Sequence, residues 1–264
     1  MKKITSKLVS GLSLLAAGVM CQTAAAGTLT EGKLVIGMEI SYPPFGSYDG
    51  DKIVGFDPEL TALLAAKMGL EESYSDNKFS GLILGLGANK FDAVMSAMYI
   101  KEERLKIADA VPYARTGAAI MVTKDSPVSP ATDKDLCGLT VGLAQGTSWV
   151  KELGELSKSY CLENGKGAIT VQEYPSAPEV TQAMLSGNVQ AQVEVAGAAL
   201  MFVERTKGRV KISSTELMYP NTLGIYFKKG NIELKSAYEK AMAEIKADGS
   251  YDALIRKYEL TPVN

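Results

Sequence analysis

The chain has 264 residues, 46% of them hydrophobic and 22% charged, with 28 Lys and Arg against 30 Asp and Glu. The resulting net charge of −2 gives no basic face for a nucleic-acid backbone, so nucleic-acid binding is excluded. The absence of histidine removes Ser-His and Cys-His nucleophile pairs and the commonest transition-metal ligand, and neither a metal nor any other cofactor is expected.

The chain opens with Lys2, Lys3 and Lys7, an apolar stretch from Leu8 to Met20, and Ala24-Ala25-Ala26. This is the pattern of a secretory signal peptide, with an apolar run too short to span a bilayer. Cleavage is expected after Ala26. Cys21 raises a lipid-anchor alternative, which ranks below simple cleavage because Met20 stands where a small residue is needed. The exported remainder carries 25 Lys and Arg against 30 Asp and Glu, a net charge of −5.

Short apolar strands then alternate with amphipathic helices. Lys33–Ile40 reads as a strand, and Asp57 to Met68 as a helix capped by Asp57, with Pro58 at its first position and Gly69 past its end. Leu60, Leu63, Leu64 and Ala65 form its apolar stripe. Phe91–Ser96 and Gly117–Val122 read as buried strands, followed by a breaker-rich loop at Asp125 to Pro130. A second series follows. Leu139–Ala144 is a strand, and Gly146-Thr147-Ser148 a turn opening a helix towards Cys161. Ile169–Glu173 is a strand, and Ser176 with Glu179 makes a capping-box pattern for the next helix. Val189–Val195 and Leu223–Phe227 are strands flanking a helix through Phe202. The chain closes with an amphipathic helix (Leu234, Tyr238, Ala241, Met242, Ile245) and a last short helix from Ser250. Such alternation implies mostly parallel sheets covered by helices.

With Cys21 removed, Cys137 and Cys161 remain as an even pair in an exported chain. That context favours a disulfide over two reduced thiols, with a stabilisation of roughly 3 kcal/mol from loop closure.

Gly55-Phe56-Asp57-Pro58-Glu59-Leu60 resembles the signature of the bacterial extracellular solute-binding proteins of family 3, the polar amino-acid receptors of ATP-driven importers. The surrounding fragments keep the family's order: Ser41-Tyr42-Pro43-Pro44-Phe45, Phe79-Ser80-Gly81, Phe91-Asp92-Ala93-Val94, Glu102-Glu103-Arg104, Gly146-Thr147-Ser148 and Asp248-Gly249-Ser250-Tyr251. The resemblance implies a two-lobed α/β fold, the type II periplasmic-binding-protein fold. Its lobes are joined by two hinge strands near Ala114–Ala118 and Tyr219–Leu223. Residues 27–116 and 221–264 then make lobe one and residues 117–220 lobe two. Ligands in such folds sit at strand carboxyl ends facing the crevice.

The resemblance also implies roles. Arg104 is expected to grip a ligand carboxylate, since a guanidinium fork matches two oxygens. Thr147 and Ser148 add donors at a helix start, the alternative being an ordinary cap. Ser96 and the backbone of Ala97 occupy the matching position in lobe one, while Tyr42 and Phe79 sandwich the apolar part of the ligand. Two positions depart from the family pattern: Tyr99 replaces a small hydroxyl residue, and Val195 stands where an aspartate usually takes the ligand's ammonium. Glu194, one residue earlier, is the candidate to replace it. Glu39 ends the first strand, at a position that in this family often touches the ligand side chain. Two acids against Arg104 lean towards a ligand with an additional cationic or donating end.

The function implied is a periplasmic, monomeric receptor that captures an amino acid or a derivative and docks on a membrane permease. Two alternatives share the scaffold: an enzyme similar to the periplasmic cyclohexadienyl dehydratases, with Glu194 as general acid, and a sensory receptor domain.

Overall fold

The computed structural model describes residues 27–263. The expected leader, residues 1–26, lies outside them. Among the described residues no helix is long and apolar enough to cross a membrane.

The first series is β1 (Lys33–Met38), the small hairpin strands β2 (Ser41–Tyr42), β3 (Gly46–Asp49) and β4 (Lys52–Val54), then α1 (Phe56–Met68) and β5 (Glu71–Asp76). A 3-10 turn (Phe79–Gly81) leads into α2 (Leu82–Gly87), β6 (Ala93–Val94), α3 (Glu102–Leu105) and the long β7 (Ala108–Thr123). The second series is β8 (Thr140–Ala144), α4 (Trp149–Leu156), β9 (Thr170–Tyr174), α5 (Ala177–Leu185), β10 (Ala191–Val195), α6 (Ala196–Arg205) and β11 (Val210–Ile212). The long β12 (Met218–Lys228), α7 (Ile232–Ala247) and α8 (Ser250–Lys257) complete the chain.

Apart from β2, β3 and β4, which make a small antiparallel sheet of their own, the strands form one curled sheet in the order β5-β1-β6-β12-β7-β10-β8-β9, with β11 also on β7. The outer pairs are parallel, as the strand–helix alternation requires, whereas β7 and β12 pair antiparallel with each other and with their neighbours. Both long strands run through the whole molecule. Residues Ala108–Pro112 of β7 pair with the end of β12, and Ala118–Thr123 pair with β10 and β11. Pairing between β7 and β12 is irregular between Met218 and Asn221, and Tyr219 has a φ of 48°. The two lobes hang on this stretch. Leu34, Ile36, Leu60, Leu64, Phe227 and Ile245 lie in one continuous buried cluster with Ile120, Val141, Leu143, Leu153, Val193 and Phe202.

Cys137 and Cys161 are disulfide-bonded across 24 residues of chain. Two local expectations are corrected. Asp57 does not cap α1: the helix begins one residue earlier, after Gly55, and carries no side-chain cap. Its first N–H groups are met instead by the carbonyls of Pro44 and Phe45, at 2.9 and 3.0 Å. Gly55 is required there, since its φ is +132° and a Cβ would sit 2.5 Å from the Phe45 oxygen. Ser176 begins α5 without a reciprocal capping box, because its hydroxyl donates to the Glu179 carboxylate at 2.9 Å rather than engaging the backbone. The box that does form is at Thr132 and Asp135.

Candidate ligand-binding site

Residues from both lobes line a cavity. The positions singled out in the sequence all lie on its wall: Glu39, Tyr42, Phe79, Ser96, Ala97, Tyr99 and Arg104 from lobe one, and Thr147, Ser148 and Glu194 from lobe two. Ala144, Trp149, Ala177 and Val195 complete it.

In lobe one, β1 delivers Glu39 to the cavity at its carboxyl end. The Glu39 N–H donates to Ser96 Oγ at 3.1 Å, which ties the end of β1 to the loop after β6. Ala97 adopts a left-handed φ of 46°, rare for a residue with a side chain. Its N–H, expected to face a ligand, is committed to Asp57 Oδ2 at 2.9 Å. Asp57 is fully buried, and burial pushes its pKa up to about 7. The acid read as a helix cap therefore braces the cavity floor instead.

Arg104, in α3, joins the lobes. Nη1 donates to the Tyr99 carbonyl at 2.7 Å and Nη2 to the Gly146 carbonyl at 2.9 Å, while the guanidinium carbon lies 5.6 Å from the Phe79 ring centroid. These bonds use two of the five guanidinium N–H donors, and the Tyr226 hydroxyl also sits beside the guanidinium. Gly146 lies against Ser80 of the opposite lobe; with φ at +79°, a Cβ there would come 2.9 Å from Ser80 Cα. Beside it, the N–H and hydroxyl of Thr147 both donate to the Ala144 carbonyl, at 3.3 and 2.9 Å, and so hold the turn. Ser148 precedes α4 without making a cap bond, and its Oγ is buried with no partner.

Glu194 is 1% exposed. One carboxylate oxygen accepts from the Tyr42 hydroxyl at 2.6 Å, the other from Gln192 Nε2 at 2.9 Å. Strand alternation places residues 192 and 194 on one face of β10. Gln192 is in turn fixed by Thr181, whose hydroxyl donates to its oxygen at 2.9 Å, and by its own bond to the Ala177 carbonyl at 3.1 Å. Tyr42 thus crosses from lobe one to a braced acid in lobe two. Val195 lines the cavity with its side chain while its N–H donates to Tyr42 Oη at 3.3 Å. Tyr42 also stacks on Phe45, at 6.0 Å between centroids.

Burial raises the pKa of Glu194 to about 7, opposed by the bonds from Tyr42 and Gln192 and reinforced by the charge of Glu39. Glu39 is likewise raised to about 7 by burial, with Lys78 opposing. Around the same cavity, Glu39 Oε1, Tyr99 Oη, Ser148 Oγ and Trp149 Nε1 are buried without a hydrogen-bond partner. Lys101 Nζ and Glu152 Oε1 meet at 2.5 Å across the lobes.

Sequence reading passes over Trp149 and Gln192. An aromatic residue at the first position of an amphipathic helix looks like core, and a glutamine in a strand looks like a solvated face. The signal available was their adjacency to Ser148 and Glu194.

The family model for bacterial extracellular solute-binding proteins, family 3, matches residues 34–261. The L-cystine-binding protein TcyJ of Escherichia coli is 31% identical over 230 residues, covering 86% of this chain and 82% of that protein. The histidine-binding periplasmic protein of the same organism is 30% identical, covering 96% of each. Among solved structures, an ancestral arginine-binding protein bound to arginine superposes with a TM-score of 0.78 at 33% identity, covering 86% of this chain and 98% of its own. The ancestral amino acid-binding protein AncCDT-1, a precursor of cyclohexadienyl dehydratase, superposes at 0.74 with 28% identity, covering 86% and 95%. The chain belongs to the bacterial extracellular solute-binding proteins, family 3.

Proposed function

We propose that this protein is the periplasmic receptor of an ATP-driven importer, and that it closes around an amino acid or derivative bearing a carboxylate and a cationic or donating end. The observation that carries the reading is the cavity itself. Both lobes line it, and it leaves an acceptor (Glu39 Oε1) and several donors (Tyr99, Ser148, Trp149) unmet. A buried polar group without a partner costs about 1–3 kcal/mol, so the closed form is completed by a ligand that supplies both kinds of partner. In this reading Arg104 and Ser148 hold the carboxylate, Glu194 and Glu39 hold the cationic end, and Tyr42 and Phe79 flank the rest. Lobe one comprises residues 27–116 and 221–264, lobe two residues 117–220, in keeping with the pairing along β7 and β12. The ligand favours the closed form because only there do both lobes touch it. The closed monomer then docks on its permease.

Melting-temperature shifts across a panel of amino acids, beginning with L-arginine, L-histidine and L-cystine, test the reading. Ligand at 100 times its Kd adds about 2.7 kcal/mol of stability. Arg104→Ala should abolish the shift; an unchanged affinity in that variant would remove Arg104 from the site.

The specific feature favouring a second reading is the carboxyl of Glu194, raised to about 7 and so suited to general-acid work. Incubation with prephenate or arogenate, followed by absorbance of aromatic product, separates an enzyme from a receptor.

A further inference from the structure

Resting on the reading of the cavity as a ligand site, we infer that Trp149 and Tyr99 form a lobe-bridging donor pair that selects a ligand with an acceptor oxygen placed between them, a contact additional to Arg104. The two residues come from opposite lobes, Tyr99 from the segment before α3 and Trp149 from the first turn of α4. Their rings meet edge to face, 5.8 Å between centroids at 88°. They are 4% and 3% exposed, respectively, and both line the cavity. Neither Tyr99 Oη nor Trp149 Nε1 has a partner.

The indole nitrogen carries the inference. It can donate but never accept, so only an acceptor atom satisfies it. The Tyr99 carbonyl already takes bonds from Arg104 and Tyr226 and the Ala144 carbonyl one from Thr147, while Glu152 Oε2, buried and unpartnered on the same helix, is not on the cavity wall. Ser148 Oγ, next in the chain, is a further unpartnered hydroxyl on the same wall. Neutral aromatic donors contribute little to charge selection. Both donate to a carboxylate or a carbonyl oxygen alike, and the indole, which cannot accept, is left unpaired by a ligand that presents only C–H or N–H groups at that point. The ligand class is therefore an amino-acid-like compound with an oxygen acceptor beyond those that Arg104 can serve.

The chain contains one tryptophan, so the 15N-labelled mature protein has a single indole N–H signal. L-arginine, L-histidine and L-cystine are titrated in turn, with binding read independently by calorimetry. L-arginine and L-histidine, with one carboxylate each, are expected to leave the indole proton unmoved where they bind, whereas L-cystine, whose second carboxylate supplies the further oxygen, is expected to move it downfield and slow its exchange with water. Trp149→Phe and Tyr99→Phe, which keep the ring contact, are each expected to weaken that probe's binding about tenfold while leaving the ligand-free melting temperature no lower. Binding of L-cystine with an unmoved indole signal and full affinity in both variants, or binding confined to L-arginine and L-histidine, overturns the inference and leaves the cavity reading standing. If none of the probes binds, the amino-acid reading falls, and the inference with it.

Discussion

Glu194→Gln removes one charge from the cavity while keeping the length and shape of the side chain. The carboxylate accepts one bond on each oxygen, from Tyr42 at 2.6 Å and from Gln192 at 2.9 Å. A carboxamide offers one oxygen and one amine, so it answers only one of those donors as they stand. Gln192 is not free to turn its own amide in compensation, since its oxygen accepts from Thr181 and its amine also donates to the Ala177 carbonyl. One bond is lost, a cost of about 1 kcal/mol in the ligand-free protein, offset in part because an ionisable group no longer has to be buried. The effect on a cationic ligand is larger. A charge-assisted bond from an ammonium or guanidinium to this carboxylate contributes about 1.5–3 kcal/mol, so Kd for L-arginine should rise roughly 10- to 150-fold.

Calorimetric titration with L-arginine at pH 8 and again at pH 6 is the assay. With the Glu194 carboxyl raised to about 7, the parent is mostly ionised at the higher pH and mostly protonated at the lower. The gap between parent and variant should therefore narrow as the pH falls. Equal affinity at pH 8, or a gap independent of pH, would show that Glu194 does not hold the cation.

Three further outcomes are expected. Cys137→Ser with Cys161→Ser opens a loop of 24 residues; loop-closure entropy assigns that cross-link about 3.5 kcal/mol, so the melting temperature should fall by roughly 10 °C. A fall of only a degree or two, read by calorimetry, would refute the loop-entropy account. Lys101→Ala breaks the inter-lobe pair with Glu152, whose side chains are 19% and 21% exposed, and should shift the ligand-free lobes towards the open form by about fivefold. Small-angle scattering should show a larger radius of gyration, and an identical profile would refute a latch. Glu39 is raised by burial from 4.5 to about 7, so its folded form favours the proton; the stability it contributes is present below pH 4.5 and lost as pH rises through about 7. The difference in melting temperature between parent and Glu39→Gln should therefore decline across that window, and a flat difference would refute it.

What could be read from the sequence was what local rules govern. Leu60, Leu64 and Ala65 recur at helical spacing, and all three are buried under α1. Gly69 ends that helix in the left-handed conformation that spacing alone would assign it. The breaker-rich stretch from Asp125 is a loop, and the cysteine pair is joined. The readings that failed depend on distant partners. Asp57 has the identity and position of a cap, but Pro44 and Phe45 already satisfy the helix start, and its carboxylate is drawn to Ala97, 40 residues away. Phe91–Ser96 has the composition of a full strand, yet only Ala93–Val94 is strand, with the Asp92 and Met95 N–H groups still bonded to β1, and the chain turns at Ala97 to bring Ser96 and Tyr99 to the cavity. Conversely β7 runs 16 residues through proline and arginine, well past the apolar core of the pattern, since its first half pairs with β12 and its second with β10.

The same distinction governs positions 194 and 195. A shift of one residue along a strand moves a side chain to the opposite face, so an acid at 194 would ordinarily be no substitute for one at 195. Here β10 ends at Val195, where the chain bends into α6, and both residues reach the cavity wall. Glu194 arrives from the face it shares with Gln192, and that glutamine holds one oxygen while Tyr42 of the other lobe holds the second. An aspartate at 195 would lack the Gln192 brace, being on the other face of the strand. In the proposed reading the acid at 194 acts together with the glutamine at 192 that orients it and Thr181 behind both. One of the bonds to the Glu194 carboxylate, that from Tyr42, is made between the lobes before any ligand arrives. In the proposed reading a ligand ammonium that engages Glu194 must share it with Tyr42, so selection among cationic ligands rests on the fit of that arrangement as well as on charge.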